Sequence, residues 1–261
     1  MKIKEIVSAL ERFAPLPLQE SYDNAGLQTG LTDAEATGAL LCLDVTEAVI
    51  DEAIALGYNL VVSHHPLVFR GVKSITGRDY VGRCLLKAIK NDIALYAAHT
   101  NLDNAPGGVN FAIARKLGLE DVRFLAPQDG SGQEGGSGLI GTLPDWETET
   151  DFLRRVKKTF EAGCVRHSRM TGRQIRTVAL CGGAGSFLIA DAVAAGADVF
   201  LTGEIRYHEY FGHEREILLA EIGHYESEQY TRQLLADILH EQCPSLKVEI
   251  TKINTNPIKY L

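Results

Sequence analysis

The sequence predicts an α/β fold in which a mostly parallel sheet is covered by helices on both faces. Short, almost entirely apolar runs alternate with segments of helical apolar spacing, as is typical of strands buried on both sides. The chain has 261 residues and is 45% hydrophobic, so it can bury a large core. The pattern changes after residue 127, which predicts a discontinuous two-domain α/β architecture with a smaller inserted α+β domain.

The individual elements follow from the spacing of apolar residues. Helical spacing predicts helices over residues 3–13, 47–56, 80–90, 108–117, 148–160, 187–195 and 226–241. Apolar runs predict strands over residues 38–43, 59–63, 93–98, 138–143, 177–181, 199–201 and 247–250, and a strand followed by a turn over 218–223. Thr46 or Asp44 is expected to cap the helix at 47–56, since both side chains can accept a hydrogen bond from the first turn.

A glycine-rich segment over residues 128–138 divides the chain. Its composition is typical of a flexible loop or an interdomain connection and not of a packed element. The predicted domains are therefore residues 1–127 with 226–261, forming the metal-binding α/β domain, and residues 128–225, forming the inserted α+β domain.

The composition excludes several classes of protein. The net charge is −8 and no block of lysine or arginine occurs, which argues against a charge-based grip on nucleic acid. The five cysteines are scattered without a Cys-x-x-Cys pair, so neither a disulfide framework nor a thiolate zinc site is expected. There is no apolar stretch that spans a bilayer and no signal-peptide pattern, so we expect a cytoplasmic protein.

Two groups of metal-ligand residues follow predicted strands. Ser63-His64-His65-Pro66 follows the apolar run at 59–63, and His99-Thr100-Asn101-Leu102-Asp103 follows the run at 93–98. In open α/β sheets, ligands bind beyond the carboxyl ends of the strands. Adjacent strand residues point to opposite faces, so His64 and His65 can share a site only if the chain turns there. Asp103 is the candidate bridge between two cations, and His99 is a candidate ligand, orienting residue or proton shuttle.

A third group comes from Gly223-His224-Tyr225-Glu226-Ser227-Glu228. His224 and Glu228 are four residues apart, which makes them neighbours on one face of a helix. Three imidazoles and two carboxylates are too many ligands for one structural zinc and suit a pair of divalent cations with open positions. The donors suit zinc, manganese, iron, nickel or cobalt and do not choose among them.

Weaker signals come from three further segments. Cys181-Gly182-Gly183-Ala184-Gly185-Ser186 is either an anion cradle or a tight turn between a strand and a helix. Glu204 and His208 are four residues apart and can line the same cleft. Residues 22–27 form a loop whose role is either functional or structural.

Together these segments resemble the GTP cyclohydrolase I type 2 family, also called the Ngg-interacting-factor-three-like family. The resemblance runs from Asp23-Asn24-Ala25-Gly26-Leu27 through all three ligand groups, and the chain resembles the short form without a mid-chain inserted domain. Tyr22 stands where many relatives have tryptophan. The resemblance implies a dinuclear metal centre in an interdomain cleft and a toroidal homohexamer. By the family pattern its metal ligands are His64, His65, Asp103, His224 and Glu228.

The leading functional hypothesis is a metal-dependent hydrolase of the GTP cyclohydrolase type. Its candidate catalytic residues are His99 and Glu228, and its cofactors are two divalent metal ions per chain. The expected substrate is a small molecule, such as a nucleotide. A phosphoesterase or amidohydrolase on the same centre is one alternative. A non-enzymatic metal-binding ring with a regulatory or nucleic-acid role is another, so the sequence is compatible with both an enzyme and a non-enzymatic protein.

Overall fold

The computed structural model of the chain describes residues 1–128 and 134–261. These residues form two compact units. The first comprises Met1–Leu102 and Thr231–Pro257, and the second comprises Asp103–Tyr230 and Ile258–Leu261. The domain boundaries predicted from composition stay a prediction. They were placed at the glycine-rich segment 128–138, and residues 129–133 of that segment lie outside the described residues.

Helices and strands alternate along most of the chain. The α-helices of the described residues are α1 (Ile3–Phe13), α2 (Glu47–Leu56), α3 (Tyr80–Lys90), α4 (Thr100–Asp103), α5 (Val109–Leu117), α6 (Glu149–Thr159), α7 (Ile189–Ala194), α8 (His224–Glu228) and α9 (Thr231–Gln242). The strands are β1 (Gly26–Thr29), β2 (Ala39–Cys42), β3 (Leu60–Ser63), β4 (Ala94–Ala97), β5 (Glu120–Pro127), β6 (Gly136–Thr148), β7 (Arg166–His167), β8 (Gln174–Cys181), β9 (Val199–Thr202), β10 (Leu218–Glu221) and β11 (Val248–Ile250). Short 3-10 helices cover Leu16–Leu18, Ser186–Leu188 and Tyr207–Tyr210.

The first unit contains a five-stranded sheet in the order β1-β4-β3-β2-β11. All neighbours are parallel except β1, which runs antiparallel to β4. Every residue of β2, β3 and β4 is buried, as the apolar runs predicted. Ser63 at the end of β3 pairs with Ala97 at the end of β4, so the segments that follow these strands leave the sheet at the same edge.

Helices pack against this sheet and close its core. α2 and α3 pack against each other and against strands β2, β3 and β4, and α9 packs against β2 and β11. The buried side chains of the α2 and α3 side include Leu40, Val49, Val61, Leu85 and Leu95. The predicted return of the last helix and strand to the first unit is therefore seen, since β11 pairs in parallel with β2.

The second unit contains a mixed six-stranded sheet in the order β5-β6-β8-β9-β10-β7. β8, β9 and β10 are parallel neighbours, and the remaining pairs are antiparallel. One buried cluster packs α7 against this sheet through Ile189, Ala192, Ala179, Phe200 and Leu219. The predicted α/β class is thus confirmed, with a mostly parallel sheet in the first unit and a mixed sheet in the second.

Several local predictions differ from the structure. β1, β7 and α4 were not predicted, and Gly26 and Leu27, which were expected in a loop, lie in β1. β5 was not predicted, and β6 begins at Gly136, earlier than expected, because Gly136 pairs with Pro127 across an antiparallel ladder. The single helix predicted over 226–241 is two helices, α8 and α9. The side chains of Gln229 and Tyr230, which lie between them, donate hydrogen bonds to the carbonyl oxygens of Phe160 and Thr159 (both 3.2 Å), so tertiary contacts interrupt the helix.

No helix in the described parts of the chain has both the length and the apolar character needed to cross a bilayer.

The start of α2 gives a test of the local folding argument. The Thr46 hydroxyl accepts a hydrogen bond from the Val49 amide (3.3 Å), so Thr46, and not Asp44, caps this helix. We expect Thr46→Ala to lower the free energy of unfolding by about 1 kcal/mol, because it leaves an amide of the first turn without its cap. Urea denaturation followed by circular dichroism measures the change. Thr46→Ser keeps the hydroxyl and serves as the control; an equal loss in both variants would contradict the capping role.

Candidate metal centre

The chain turns sharply after β3 and brings His64 and His65 together. The Ser63 hydroxyl donates to the His65 carbonyl oxygen (2.8 Å), which fixes the turn that two adjacent histidines need. The two ring centroids are 4.8 Å apart. His64 is fully buried, and its Nδ1 lies 2.8 Å from the Ala98 carbonyl oxygen. A carbonyl oxygen only accepts, so Nδ1 carries the proton and Nε2 carries the lone pair.

His65 is oriented by a carboxylate. Its Nδ1 lies 2.8 Å from Oδ1 of Asp44, just after β2, and the Thr255 hydroxyl donates to the other oxygen of Asp44 at 2.7 Å. Burial acts to raise the pKa of Asp44, but the hydrogen bond and charge of His65 outweigh it and hold this pKa below its usual value. A deprotonated Asp44 accepts from Nδ1 and leaves the lone pair of His65 on Nε2.

His99 repeats this arrangement. Its Nδ1 lies 2.7 Å from Oδ1 of Asp23, and Oδ2 of Asp23 accepts from the backbone amide (3.1 Å) and the hydroxyl of Thr100. Burial acts to raise the pKa of Asp23, but the hydrogen bonds from His99 and Thr100 prevail and lower the pKa to about 2. Asp23 is therefore a carboxylate at neutral pH.

The three imidazoles form one cluster within the first unit. The ring of His99 lies 5.3 Å from that of His64 and 5.5 Å from that of His65, and one ring nitrogen of each residue lies within 4.8 Å of the others. Metal-binding histidines almost always donate their second ring N–H to a carboxylate or a carbonyl oxygen, which fixes the tautomer and aims the other nitrogen at the ion. All three rings meet this condition, so the cluster fits a metal ion.

The other predicted ligands lie in the second unit. Asp103 ends α4, and its carbonyl oxygen accepts from the Asn110 side-chain amide (3.1 Å). His224 and Glu228 are adjacent on α8 as their spacing predicted, with Nε2 and Oε2 3.1 Å apart. Nδ1 of His224 lies 3.0 Å from Oε1 of Glu204.

Two carboxylates determine the charge of His224. Burial disfavours the charged imidazole, but Glu228 and Glu204 outweigh it and raise the pKa of His224 to about 11. Without a cation, His224 therefore binds a proton between two negative charges. This excess of negative charge favours a cation in place of that proton.

The glycine turn after β8 is part of the support for these ligands. The amides of Gly182, Gly183 and Gly185 donate to the side chains of Asn110, Ser227 and Thr202 at 2.9, 3.0 and 3.0 Å. Because these three donors are used within the protein, the structure favours a tight turn over an anion cradle. Gly183 has φ +59°, and a Cβ there would lie 2.3 Å from Oε1 of Glu228 and 3.3 Å from Nε2 of His224.

Sequence reasoning identified the imidazoles but missed the residues that orient them. From the sequence, Asp23 is a residue of a loop and of the family motif, Asp44 is a candidate helix cap, and Glu204 is a residue that can line a cleft. Asp44 and Glu204 follow strands β2 and β9 by two residues, the same position relative to a strand that marked the histidines. The ring of His208, in contrast, contacts those of Tyr207 and Phe211, with centroids 5.2 and 6.3 Å away.

The profile of the Duf34/NIF3 (NGG1p interacting factor 3) family matches residues 1–257, nearly the whole chain. This chain belongs to the Duf34/NIF3 family. A Clostridium acetobutylicum family relative named GTP cyclohydrolase 1 type 2 homolog is 31% identical over 265 residues, covering 100% of this chain and 99% of the relative.

The chain is also similar to solved structures. The crystal structure of Staphylococcus aureus protein SA1388 is 31% identical, superposes with a TM-score of 0.92, and covers 100% of this chain and 99% of that one. A Staphylococcus aureus relative, also named GTP cyclohydrolase 1 type 2 homolog, is 27% identical over an alignment of 367 residues that covers all of both sequences. That alignment is longer than the 261 residues of this chain, so this relative contains residues that have no counterpart here.

Gly183→Ala tests the close approach at the glycine turn. Gly118, also in the second unit, has a similar φ of +64° but no atom within 4 Å of a built Cβ, so it is a matched control for backbone strain alone. We expect Gly118→Ala to cost about 1–2 kcal/mol in unfolding free energy, the usual cost of a left-handed alanine. Gly183→Ala should cost more and displace the Glu228 carboxylate. Equal losses in urea denaturation, with Glu228 unmoved in a crystal structure of the variant, would contradict this.

Proposed function

We propose that this chain is a dinuclear metal-dependent hydrolase, a GTP cyclohydrolase 1 type 2 homologue that acts on a nucleotide or a similar small molecule. The observation that carries the proposal is the cluster of His64, His65 and His99, in which an acceptor holds each Nδ1. The names of the relatives, GTP cyclohydrolase 1 type 2 homolog, support the substrate class. A shared fold by itself does not fix a substrate, so the reaction needs a direct test.

We assign five residues as ligands of two divalent cations: His64, His65, Asp103, His224 and Glu228. Imidazole and carboxylate donors suit zinc, iron or manganese. Asp103 would be the carboxylate shared by the two ions, and Glu204 and Asp44 orient His224 and His65. When bound by these residues, a pair of cations would make a water acidic enough to act as a nucleophile near neutral pH.

His99 is assigned the proton transfer. Asp23 accepts the Nδ1 hydrogen bond and fixes the tautomer and orientation of the ring, as the acidic member of a catalytic triad does for its histidine. Nε2 is thus the atom that accepts a proton and returns it to the leaving group. Glu228 is assigned a second role as a base, because its carboxylate lies beside His224 and is buried.

We also propose that the chain assembles as a cytoplasmic homohexamer, which rests on the resemblance to the family. Light scattering on the purified protein checks the assembly, with six times the 28.5 kDa chain mass as the expected result. A monomer or a dimer would contradict it.

The decisive experiment combines metal analysis with an activity assay. Protein purified without chelator or affinity tag is analysed by mass spectrometry for metals, then loaded and incubated with GTP while formate is measured. Two metals per chain with formate release support both parts of the proposal. Two metals without formate retain the site and reject the GTP reaction, and a screen of phosphate esters and cyclic amides then decides between another hydrolase and a scaffold. Failure to bind zinc, manganese or iron would overturn the proposal.

Asp103→Ala is the sharpest single test of the ligand set. We expect it to abolish both metal occupancy and turnover, because it removes the carboxylate assigned to both cations. Asp145→Ala, at an exposed aspartate of the same unit, is the control and should retain both. Full metal content in Asp103→Ala would remove Asp103 from the site.

Asp44→Ala tests the orientation of His65. Loss of a carboxylate that orients a metal-binding histidine typically weakens metal affinity by about 10–100-fold, and we expect a change in that range. Asp44→Asn keeps one acceptor oxygen for Nδ1 and should give a smaller loss, while Asp33→Ala at an exposed aspartate should give none. Competition with a fluorescent chelator measures the affinities. Unchanged affinity in Asp44→Ala would show that His65 needs no carboxylate partner or binds no metal.

A further inference from the structure

Two large aromatic side chains stand exposed beside the imidazole cluster. Tyr22 is 62% exposed and Phe69 is 42% exposed. The ring of Phe69 lies 6.0 Å from that of His99, nearly perpendicular at 83°, and the ring of Tyr22 lies 6.4 Å from that of Phe69 at 60°. All three residues belong to the first unit. The pair, called here the aromatic platform, therefore extends outward from the residue assigned to proton transfer.

Hydrogen bonds hold the backbone on both sides of the platform. The Asn24 side-chain amide donates to the Val68 carbonyl oxygen (2.6 Å), and the Val68 amide donates to Oε1 of Gln28 (3.1 Å). Asp23, next to Tyr22, is bound to His99 and Thr100. The segments that carry the two rings are thus bound to each other and to the imidazole cluster, so the backbone on which the rings stand is in place before any ligand arrives.

The exposure of the two rings of the platform does not contribute to the stability of the fold. Burying a large apolar side chain stabilises a protein by about 1.5–3 kcal/mol relative to leaving it exposed, and much of that stabilisation is not realised here. Exposed aromatic residues held beside polar catalytic groups are typical of binding sites, in which aromatic surfaces surround a few polar groups. The location next to His99 indicates a small-molecule ligand that also reaches the imidazole cluster.

We propose that Tyr22 and Phe69 bind a planar heteroaromatic ring of the substrate and so select substrates that carry one. The inference deepens the proposed function and rests on it. The two rings make an edge-to-face contact, and 6.4 Å between centroids leaves no room for a third ring between them. The substrate ring therefore stacks on an outward face of the platform, and the group to be hydrolysed is directed towards His99.

Stacking sets the size of the expected effect. Replacing an aromatic side chain that stacks on a nucleobase typically costs about 1–3 kcal/mol, which corresponds to roughly 5- to 150-fold in the dissociation constant. Leucine keeps the apolar character but removes the flat face. The variants Tyr22→Leu and Phe69→Leu therefore test stacking and not hydrophobicity in general.

The experiment measures binding directly, by titration calorimetry on the full chain loaded with metal. The probes are guanosine, uridine and nicotinamide, with ribose 5-phosphate as a probe that has no aromatic ring. We expect at least one ring probe to bind more tightly than ribose 5-phosphate and to lose roughly 5- to 150-fold in each leucine variant. Phe211→Leu, at a phenylalanine of the second unit that is 57% exposed, is the control and should bind as the original chain does.

Several outcomes would overturn the inference. The first is that no ring probe binds. The second is that the original chain and both leucine variants bind the probes equally well. The third is that the variants change their oligomeric state while probe binding stays the same. The last would identify the platform as a contact with a second copy of the chain. Metal content is measured on the same samples. An original chain that binds no metal would contradict the proposed function. If that metal-free chain still bound a ring probe, and both leucine variants lost the binding, the inference about the platform would be supported without the proposed function.

Discussion

The hydrogen bond at Nδ1 of each histidine is the constraint on which the candidate site depends. A neutral imidazole has one donor and one acceptor nitrogen, and only an acceptor at Nδ1 guarantees a lone pair at Nε2. Ala98 provides this acceptor for His64, Asp44 for His65 and Asp23 for His99. These hydrogen bonds also reduce the freedom of each ring to rotate, so part of the entropy cost of binding is met during folding.

The sheet of the first unit makes this arrangement possible. β2, β3 and β4 are parallel and in register, so the segments that follow them emerge side by side. The acceptor for one histidine therefore comes from the segment after a neighbouring strand: Asp44 follows β2 and serves the residue after β3, and Ala98 follows β4 and serves His64. The core beneath these ends is apolar and fully buried, which fixes the backbone positions from which the polar groups extend.

Apolar patterning predicted most of the fold because burial on both faces leaves a strong signal. The bounds of α1, α2 and α3 were predicted to the residue, and β2, β3 and β4 to within one or two. β5 was missed because its first residues, Glu120 and Asp121, are charged and its burial is incomplete, so it lacks the apolar run of a central strand. The break between α8 and α9 was missed because it depends on hydrogen bonds to the end of α6, which no local pattern contains.

The sequence predicted which histidines lie in the site but not which residues accept their hydrogen bonds. Histidines at strand ends are rare enough to stand out. Aspartates such as Asp23 and Asp44 occupy many loops for unrelated reasons, and only their distances to His99 and His65 distinguish them. Gly183 shows the same limit. The sequence does not tell why glycine is required there, because the reason is that a Cβ at this position would collide with the Glu228 carboxylate.

Thr255, from the C-terminal part of the chain, helps to hold the carboxylate that orients His65. Its hydroxyl donates to Asp44, and β11 adds the last strand to the sheet beside β2. During synthesis, residues 1–102 leave the ribosome long before residues 248–257. The three histidines of the cluster are therefore available for folding before Thr255, whose hydroxyl donates to Asp44. The support of His65 is completed only when the C-terminal residues have joined the sheet. A chain that stops short of them retains every histidine but lacks one hydrogen bond that holds the carboxylate behind His65.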